Sequence, residues 1–278
     1  MVIKFHQQIY NALESESLKE IDLDFKFTFG CTEDCMGSCC MMIDILLDPW
    51  DVETMARYLN TSGQEFVQKY CLYEIGNGSD WPHVKLKDAA SGPCTFLKED
   101  GKCEIYPVRP RNCRTAPVGR AVRFNYDGEQ VVTEEKIFMI PPTETCAGFE
   151  TGRQWTVREW FQDADAFKYY KFSDHYTELI NYALVKLSSR KWMSSAIARM
   201  MSPFLYGPEI LRAKLGISEE EVSHEEFYLR RIKALKVILT DMAAGFGFGP
   251  LAEQFKAEGT GAMFAGSMMD RVKKILLP

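Results

Sequence analysis

The chain has 278 residues, 46 % of them apolar, and a formal net charge of −6. That length holds one large domain or two modest ones around a packed core, and the acidic balance argues against a general nucleic-acid binder, which would present a basic surface. No apolar run reaches the roughly 18–20 residues of a membrane-spanning helix, and Met1–Glu20 lacks the basic–apolar–small order of a secretory signal, so a cytoplasmic protein without nucleic-acid or membrane partners is expected.

Met1 to Phe25 reads as a short helix followed by an extended stretch, Phe25–Phe29. The segment Cys31–Cys40 reads as a loop, because Gly30, Gly37 and clustered thiols suit neither helix nor strand. After a short apolar run, Ile43–Leu47, a helix is expected: Asp48 is a good N-cap, Pro49 suits the first turn, and Val52, Met55, Ala56 and Leu59 share one face. Ser62 and Glu65 have capping-box spacing for the next helix, which is expected to run through Phe66, Tyr70, Cys71 and Leu72. A strand is expected at Val84–Leu86, compact irregular structure from 93 to 120, and a hairpin of Ala121–Tyr126 with Gln130–Ile140 around Asp127-Gly128, ended by Pro141-Pro142. From Thr156, which has capping-box spacing to Glu159, the pattern turns helical: Phe167–Ser189, Glu225–Ala244 and Ala262–Leu277. The expected fold is therefore α+β and mainly helical, with an irregular Cys-rich region over 1–150 and a helical region over 151–278 packed on it. The Gly-rich runs Gly245–Gly249 and Gly259–Gly261 follow no clear strand and carry no P-loop Lys, so they read as loops or helix caps.

All nine cysteines lie between positions 31 and 146. The first group is Cys31-x3-Cys35-x3-Cys39-Cys40. The second is Cys94-x8-Cys103-x9-Cys113, with Cys146 further on. In a reducing compartment such clustering points to metal or redox chemistry rather than disulfides. Thiolates are soft ligands, and four of them satisfy zinc tetrahedrally or complete the coordination of a [4Fe–4S] cluster. These eight could fill two four-thiolate sites, or fill one and leave thiols for redox work. Adjacent Cys39 and Cys40 are expected to point apart and serve different partners. Cys71 reads as a buried small hydrophobe. His6, His83, His175 and His224 lie outside both groups, which argues against a His-rich catalytic zinc site. The opening Cys31-x3-Cys35 also looks like the start of a radical-SAM motif, but the next spacing is wrong and no repeated strand–helix pattern follows.

Phe29–Asp51, together with the block Cys94-Thr-Phe-Leu … Gly101-Lys-Cys103-Glu-Ile-Tyr106-Pro-Val-Arg109-Pro110-Arg-Asn-Cys113-Arg114-Thr-Ala-Pro117-Val-Gly119, resembles the YkgJ-type cysteine-cluster family, described as zinc- or iron-chelating. Two separated motifs agree in order and spacing, over roughly residues 25 to 165. The resemblance implies a metal or iron–sulfur centre and leaves the reaction open. A flagellin lysine N-methylase has a related cysteine cluster, which makes a methylase-like enzyme a further alternative, although no Gly-rich nucleotide loop supports it.

Pro110 biases Arg109 to an extended backbone, so Arg109 and Arg114 are expected to aim guanidiniums at sulfurs or acids and to lower thiol pKa values. They belong to an acid-free basic run with Arg111, Arg120 and Arg123, read either as a solvated face or as a cationic collar beside a negative centre. Tyr106 is expected to pack in the core. The expectation is an iron–sulfur cluster, [4Fe–4S] in kind, or zinc, serving a redox or enzymatic role or a binding module for a protein or small-molecule partner.

Overall fold

A computed structural model describes residues 2–33, 36–41, 43–75, 81–87, 91–128, 130–142, 146–258 and 261–278. In chain order the elements are α1 (Val2–Glu14), β1 (Lys19–Ile21), β2 (Lys26–Phe29), β3 (Leu46–Leu47), α2 (Pro49–Tyr58), α3 (Gly63–Tyr70), β4 (Cys71–Ile75), β5 (Pro82–Leu86), α4 (Arg111–Thr115), β6 (Val118–Asp127), β7 (Gln130–Met139), β8 (Arg153–Thr156), α5 (Val157–Asp163), α6 (Ala166–Val185), α7 (Ser195–Met200), α8 (Ser202–Tyr206), α9 (Pro208–Leu215), α10 (His224–Gly245), α11 (Ala252–Glu258) and α12 (Gly261–Leu276). The fold is α+β and mainly helical. Among the described residues no helix is long and apolar enough to cross a membrane.

The chain divides into two compact units. The first is Met1–Leu47, Tyr70–Leu72 and Lys85–Lys171, and the second is Asp48–Lys69, Tyr73–Val84 and Phe172–Pro278. The helices α2 and, to Lys69, α3 thus group with the C-terminal helices, while all the described cysteines fall in the first unit.

In the first unit β6 and β7 form the expected hairpin, with Asp127 opposite Gln130 and Gly128 at φ 60° in the left-handed region that its turn demands. β1 pairs with the other edge of β7, setting Ile21 opposite Ile137 and giving the order β1-β7-β6. β2 pairs antiparallel with β8, Phe29 opposite Arg153. Alternation along these strands turns Ile21, Phe27, Val118, Ile137 and Trp155 inward, where Val157 and Phe161 of α5 complete a core. α5 starts where its capping box predicts: the Thr156 N–H donates to Glu159 Oε2 at 2.7 Å, and the Glu159 N–H to Thr156 Oγ1 at 3.2 Å. β3, β5 and β4 make a short sheet in the order β3-β5-β4.

The second unit is helical. α2 is capped by Asp48 with reciprocal help from Asp51, and α3 by Ser62 with Glu65. The 22-residue α10 is the central rod. Its Ala234 and Phe227 pack with Val272 and Leu276 of α12. The Trp50 ring of α2 stacks on Phe172 with centroids 3.8 Å apart and meets Tyr228 edge-on.

One expectation is corrected and two features are added to it. Cys71 opens the strand β4 rather than closing a helix, because α3 ends at Tyr70 and the run Cys71–Ile75 pairs into a sheet. The stretch 195–215, unassigned in the sequence, is three short helices joined by Ser, Pro and Gly breaks. The buried side of α10 is wider than its apolar stripe, and takes in Arg231 and Asp241.

Candidate metal centre

Residues 36–41 close a tight loop. Gly37 adopts φ 87°, a short 3-10 turn covers Ser38–Cys40, and the Cys40 N–H donates to the Gly37 carbonyl at 2.9 Å. This loop lies against the turn at 97–101: a Cβ on Gly37 would stand 3.1 Å from Leu97 Cδ1 and 3.2 Å from the Gly101 carbonyl oxygen, and one on Gly101 would stand 3.1 Å from the Met36 carbonyl oxygen. Both glycines are thus required by close approach as well as by positive φ.

The two cysteine stretches are joined through their backbones. The Cys94 N–H donates to the Cys40 carbonyl at 2.8 Å, and Met41 bridges to Pro93. The second stretch then folds back on itself, with Leu97 bridging to Cys103 and the Glu104 N–H donating to the Phe96 carbonyl at 2.9 Å. Cys39 and Cys40 do not point apart as expected. Their Sγ atoms lie 4.0 Å from each other, because the 3-10 turn rotates successive side chains by less than a strand would.

Electrostatics tie four of these thiols together. Cys39 is lowered to about 6, chiefly by the hydrogen bond from Cys40, and Cys40 is pushed far up by the same bond, by burial and by the charges of Cys39, Cys94 and Cys103. Cys94 and Cys103 are each raised by burial and by nearby thiolates, against which each sulfur accepts a hydrogen bond from the N–H two residues on, Phe96 and Ile105 respectively. The charge of Arg109 also lowers Cys103. Mutual repulsion among these sulfurs, with the backbone bracing Cys39, Cys94 and Cys103, is an electrostatic setting that a bound cation relieves.

The other described candidates belong to the same unit. Cys31 follows β2, where the Gly30 N–H donates to the Gly148 carbonyl at 3.0 Å and Thr151 Oγ1 donates to the Gly30 carbonyl at 3.1 Å. Cys146 stands at the start of the 3-10 turn Ala147–Glu150, two residues before Gly148. These bonds bring the Cys31 and Cys146 backbones to one place. Cys113 is half-buried on α4. Cys35 lies outside the described residues. Cys71 is buried, and burial pushes it up to about 12, so it behaves as a small hydrophobe. Among the described residues no three Cys, His, Asp or Glu side chains are gathered at the spacing a bound metal ion imposes.

The basic run meets rings and carboxylates as well as Cys103, which the charge of Arg109 lowers. Four of its arginines lie over tyrosine rings: Arg109 over Tyr106 at 3.9 Å, Arg114 over Tyr169 at 3.7 Å, Arg120 over Tyr170 at 4.4 Å and Arg123 over Tyr10 at 3.8 Å. Arg120 also meets Glu135, and Arg123 meets Glu134. Arg114 is buried and donates to the Arg109, Pro107 and Ala164 carbonyls, so it fixes the backbone around Cys113. Tyr106 is no core residue. It is 60 % exposed, because the 3-10 turn Tyr106–Val108 holds its ring outward as the platform for Arg109.

The Gly30 lock makes one prediction. Gly152 has φ 93°, and its Cβ would meet Gly30 N and Phe29 O at 2.6 Å. Gly152→Ala is expected to cost about 2–3 kcal/mol in urea denaturation, since both the backbone conformation and the backbone contact forbid it. Gly128→Ala, with φ 60° and nothing within 4 Å of its Cβ, should cost only about 1 kcal/mol. Equal costs would show that the contact at Gly30 is not tight.

Residues 30–147 match the model of the CxxCxxCC family, whose description is "Putative zinc- or iron-chelating domain". No solved structure matches the chain.

Proposed function

We propose, on the premise that residues 30–147 carry a domain of the zinc- or iron-chelating cysteine-cluster family, that Cys39, Cys40, Cys94 and Cys103 hold a single zinc or iron ion. The observation that supports this reading most is the 4.0 Å separation of Cys39 and Cys40 Sγ. Two thiolates on one tetrahedral ion, each at ~2.3 Å from it, stand about 3.8 Å apart. In a four-iron cluster each thiolate takes a different iron and the sulfurs stand further apart, which disfavours [4Fe–4S] for this group. In kind the donors suit a thiophilic ion, four sulfurs with backbone N–H groups on Cys94 and Cys103 to disperse their charge, and binding would draw them in from the wider spacing described above. Cys31, Cys35, Cys113 and Cys146 would make a second set, and the Gly30–Gly148 bond, which joins the backbones beside Cys31 and Cys146, supports that reading.

An ion with four thiolate ligands supplies structural cross-linking as zinc, or one-electron exchange as iron, and has no open position for substrate. This chain's own residues then do the rest. Gly37 and Gly101 set the loops in contact, Cys94 N–H fixes one stretch on the other, and Arg109 offsets negative charge beside Cys103.

Metal and acid-labile sulfide analysis of anaerobically purified protein tests this. Cys40→Ser and Cys103→Ser should each remove about one equivalent of metal, and Cys71→Ala none. Sulfide in equal amount to iron, lost together in Cys40→Ser, would replace the single ion with an iron–sulfur cluster at this group. Protein that binds neither zinc nor iron would end the proposal.

A further inference from the structure

One end of the second unit carries an aromatic and basic patch that the cysteine chemistry does not use. The loop Gly245-Phe-Gly-Phe-Gly249 follows α10, with Gly247 at φ 82° and Gly249 at φ 80°. Gly249 approaches Leu187 so closely that a Cβ would stand 2.9 Å from its Cδ2. The loop is thereby seated on the turn after α6. There Phe246 stacks on Trp192, with centroids 5.7 Å apart and rings 16° from parallel, and Lys191 Nζ lies 5.7 Å from the Phe248 ring centre. Trp192 is itself held by its Nε1–H donating to the Leu187 carbonyl at 2.7 Å.

Phe246 is 55 % exposed and Val185, at the end of α6, is 58 % exposed. Gly245 and Gly247 are exposed beside Phe246, whose outer ring face, on the side away from Trp192, is left to solvent. Arg190 and Lys191 flank it, both exposed. Residues 179–208 contain four cations (Lys186, Arg190, Lys191 and Arg199) and no carboxylate, and 242–252 contain no charged group at all, in a chain whose net charge is −6. Among the described residues neither Arg190 nor Lys191 has a carboxylate within ion-pair distance.

We infer that this patch docks on an anionic lipid surface, with Phe246 entering the headgroup region and Arg190 and Lys191 meeting lipid phosphates and carboxylates. An exposed aromatic on a Gly-rich loop gains by leaving water at an interface, and each flanking cation gains from the negative surface potential. The contact is peripheral, because the acidic balance of the rest of the chain opposes wider adhesion to an anionic surface.

Sedimentation of the full chain with vesicles tests it. Vesicles rich in phosphatidylserine should bind the protein at low salt and release it at high salt, and pure phosphatidylcholine vesicles should not bind it. Arg190→Gln with Lys191→Gln should weaken binding about thirtyfold. Phe246→Ser should also weaken it, while Phe246→Leu, which keeps apolar bulk, should not. Circular dichroism and metal content establish that each variant is folded. Failure to bind phosphatidylserine vesicles, or binding that survives both the double substitution and Phe246→Ser, overturns the inference. So does equal binding to polyglutamate that Phe246→Ser leaves intact, which would assign the patch to an acidic polypeptide.

Discussion

Stripping the metal from the folded chain will lower the melting temperature of the cysteine region by about 10–20 °C and leave α10 and α12 protected. Residues 30–41 and 91–104 bury few apolar side chains, chiefly Cys94 and Phe96, and two stretches so distant in sequence are held by single hydrogen bonds such as Cys94 N–H to Cys40. A structural zinc ion is worth about 10–16 kcal/mol in small peptides. Here Phe96 and the neighbouring buried Ile105 already anchor the second stretch, so a loss of about 5 kcal/mol is the reasonable scale, at about 2–4 °C per kcal/mol for a domain of this size. Hydrogen exchange after chelation should show the Cys94 and Glu104 amides losing protection first. Unchanged protection at both, with metal demonstrably gone, would show that the ion does not hold these loops.

Glu53→Ala is expected to cost about 3–5 kcal/mol, the second large effect. Glu53 and Arg231 are both buried and in contact, and Arg231 also donates to the Phe204 carbonyl at 2.6 Å. Above about pH 7, where Glu53 is ionised, removing the carboxylate leaves a guanidinium without its counter-charge in the interior. Glu53→Leu with Arg231→Met should restore most of the loss, because burying neither charge avoids both desolvation costs. A double variant as unstable as Glu53→Ala would show that packing, not charge, is at stake.

The same network has a pH signature. Burial raises Glu53 to about 7 despite Arg231, with Glu209 adding to the rise and Arg57 opposing it. Burial lowers His224 to about 4, helped by Arg57 and Arg231 and opposed by Glu219. The His224 Nε2 lies 3.5 Å from Glu53 Oε2. Folding therefore moves a proton from the imidazole to the carboxyl between roughly pH 4.5 and 6.5. The raised Glu53 favours the fold at low pH and loses that contribution as pH climbs through about 7, whereas the depressed His224 favours the fold at high pH and loses its contribution as pH falls through about 4. The two slopes oppose each other in the wild type. His224→Gln should unmask the Glu53 slope, with stability falling by on the order of 2 kcal/mol from pH 4.5 to 7.5. A flat profile for that variant would mean that Glu53 stays ionised throughout.

What could be read in advance was what is local. Asp48, Ser62 and Thr156 announce their helices because a cap and its partner lie three residues apart, and Asp127-Gly128 announces its hairpin for the same reason. Long-range pairings carry no such mark. Nothing in the sequence says that β1 will take the free edge of β7, or that Tyr10, Tyr169 and Tyr170 will lie under Arg123, Arg114 and Arg120. The clustering of thiols and the family resemblance pointed to the stretch that the zinc- or iron-chelating family model matches, residues 30–147. The grouping of Cys39 and Cys40 was missed because spacing alone does not reveal a 3-10 turn. Arg231 and Asp241 were missed on α10 because an apolar stripe counts only apolar residues, and a buried ion pair looks like two surface charges until its partners are known.

The bond from Cys94 to Cys40 spans 54 positions of chain, across which α2 and α3 are laid down. Closing a loop of that length costs about 3–4 kcal/mol of chain entropy beyond a constant term. With Cys39, Cys40, Cys94 and Cys103 as the proposed ligands, the first two leave the ribosome before the others exist, and a nascent chain would offer an ion at most half of its final grip. On that proposal capture would wait on translation, and the order in which the polypeptide is made would also be the order in which it becomes able to choose its metal.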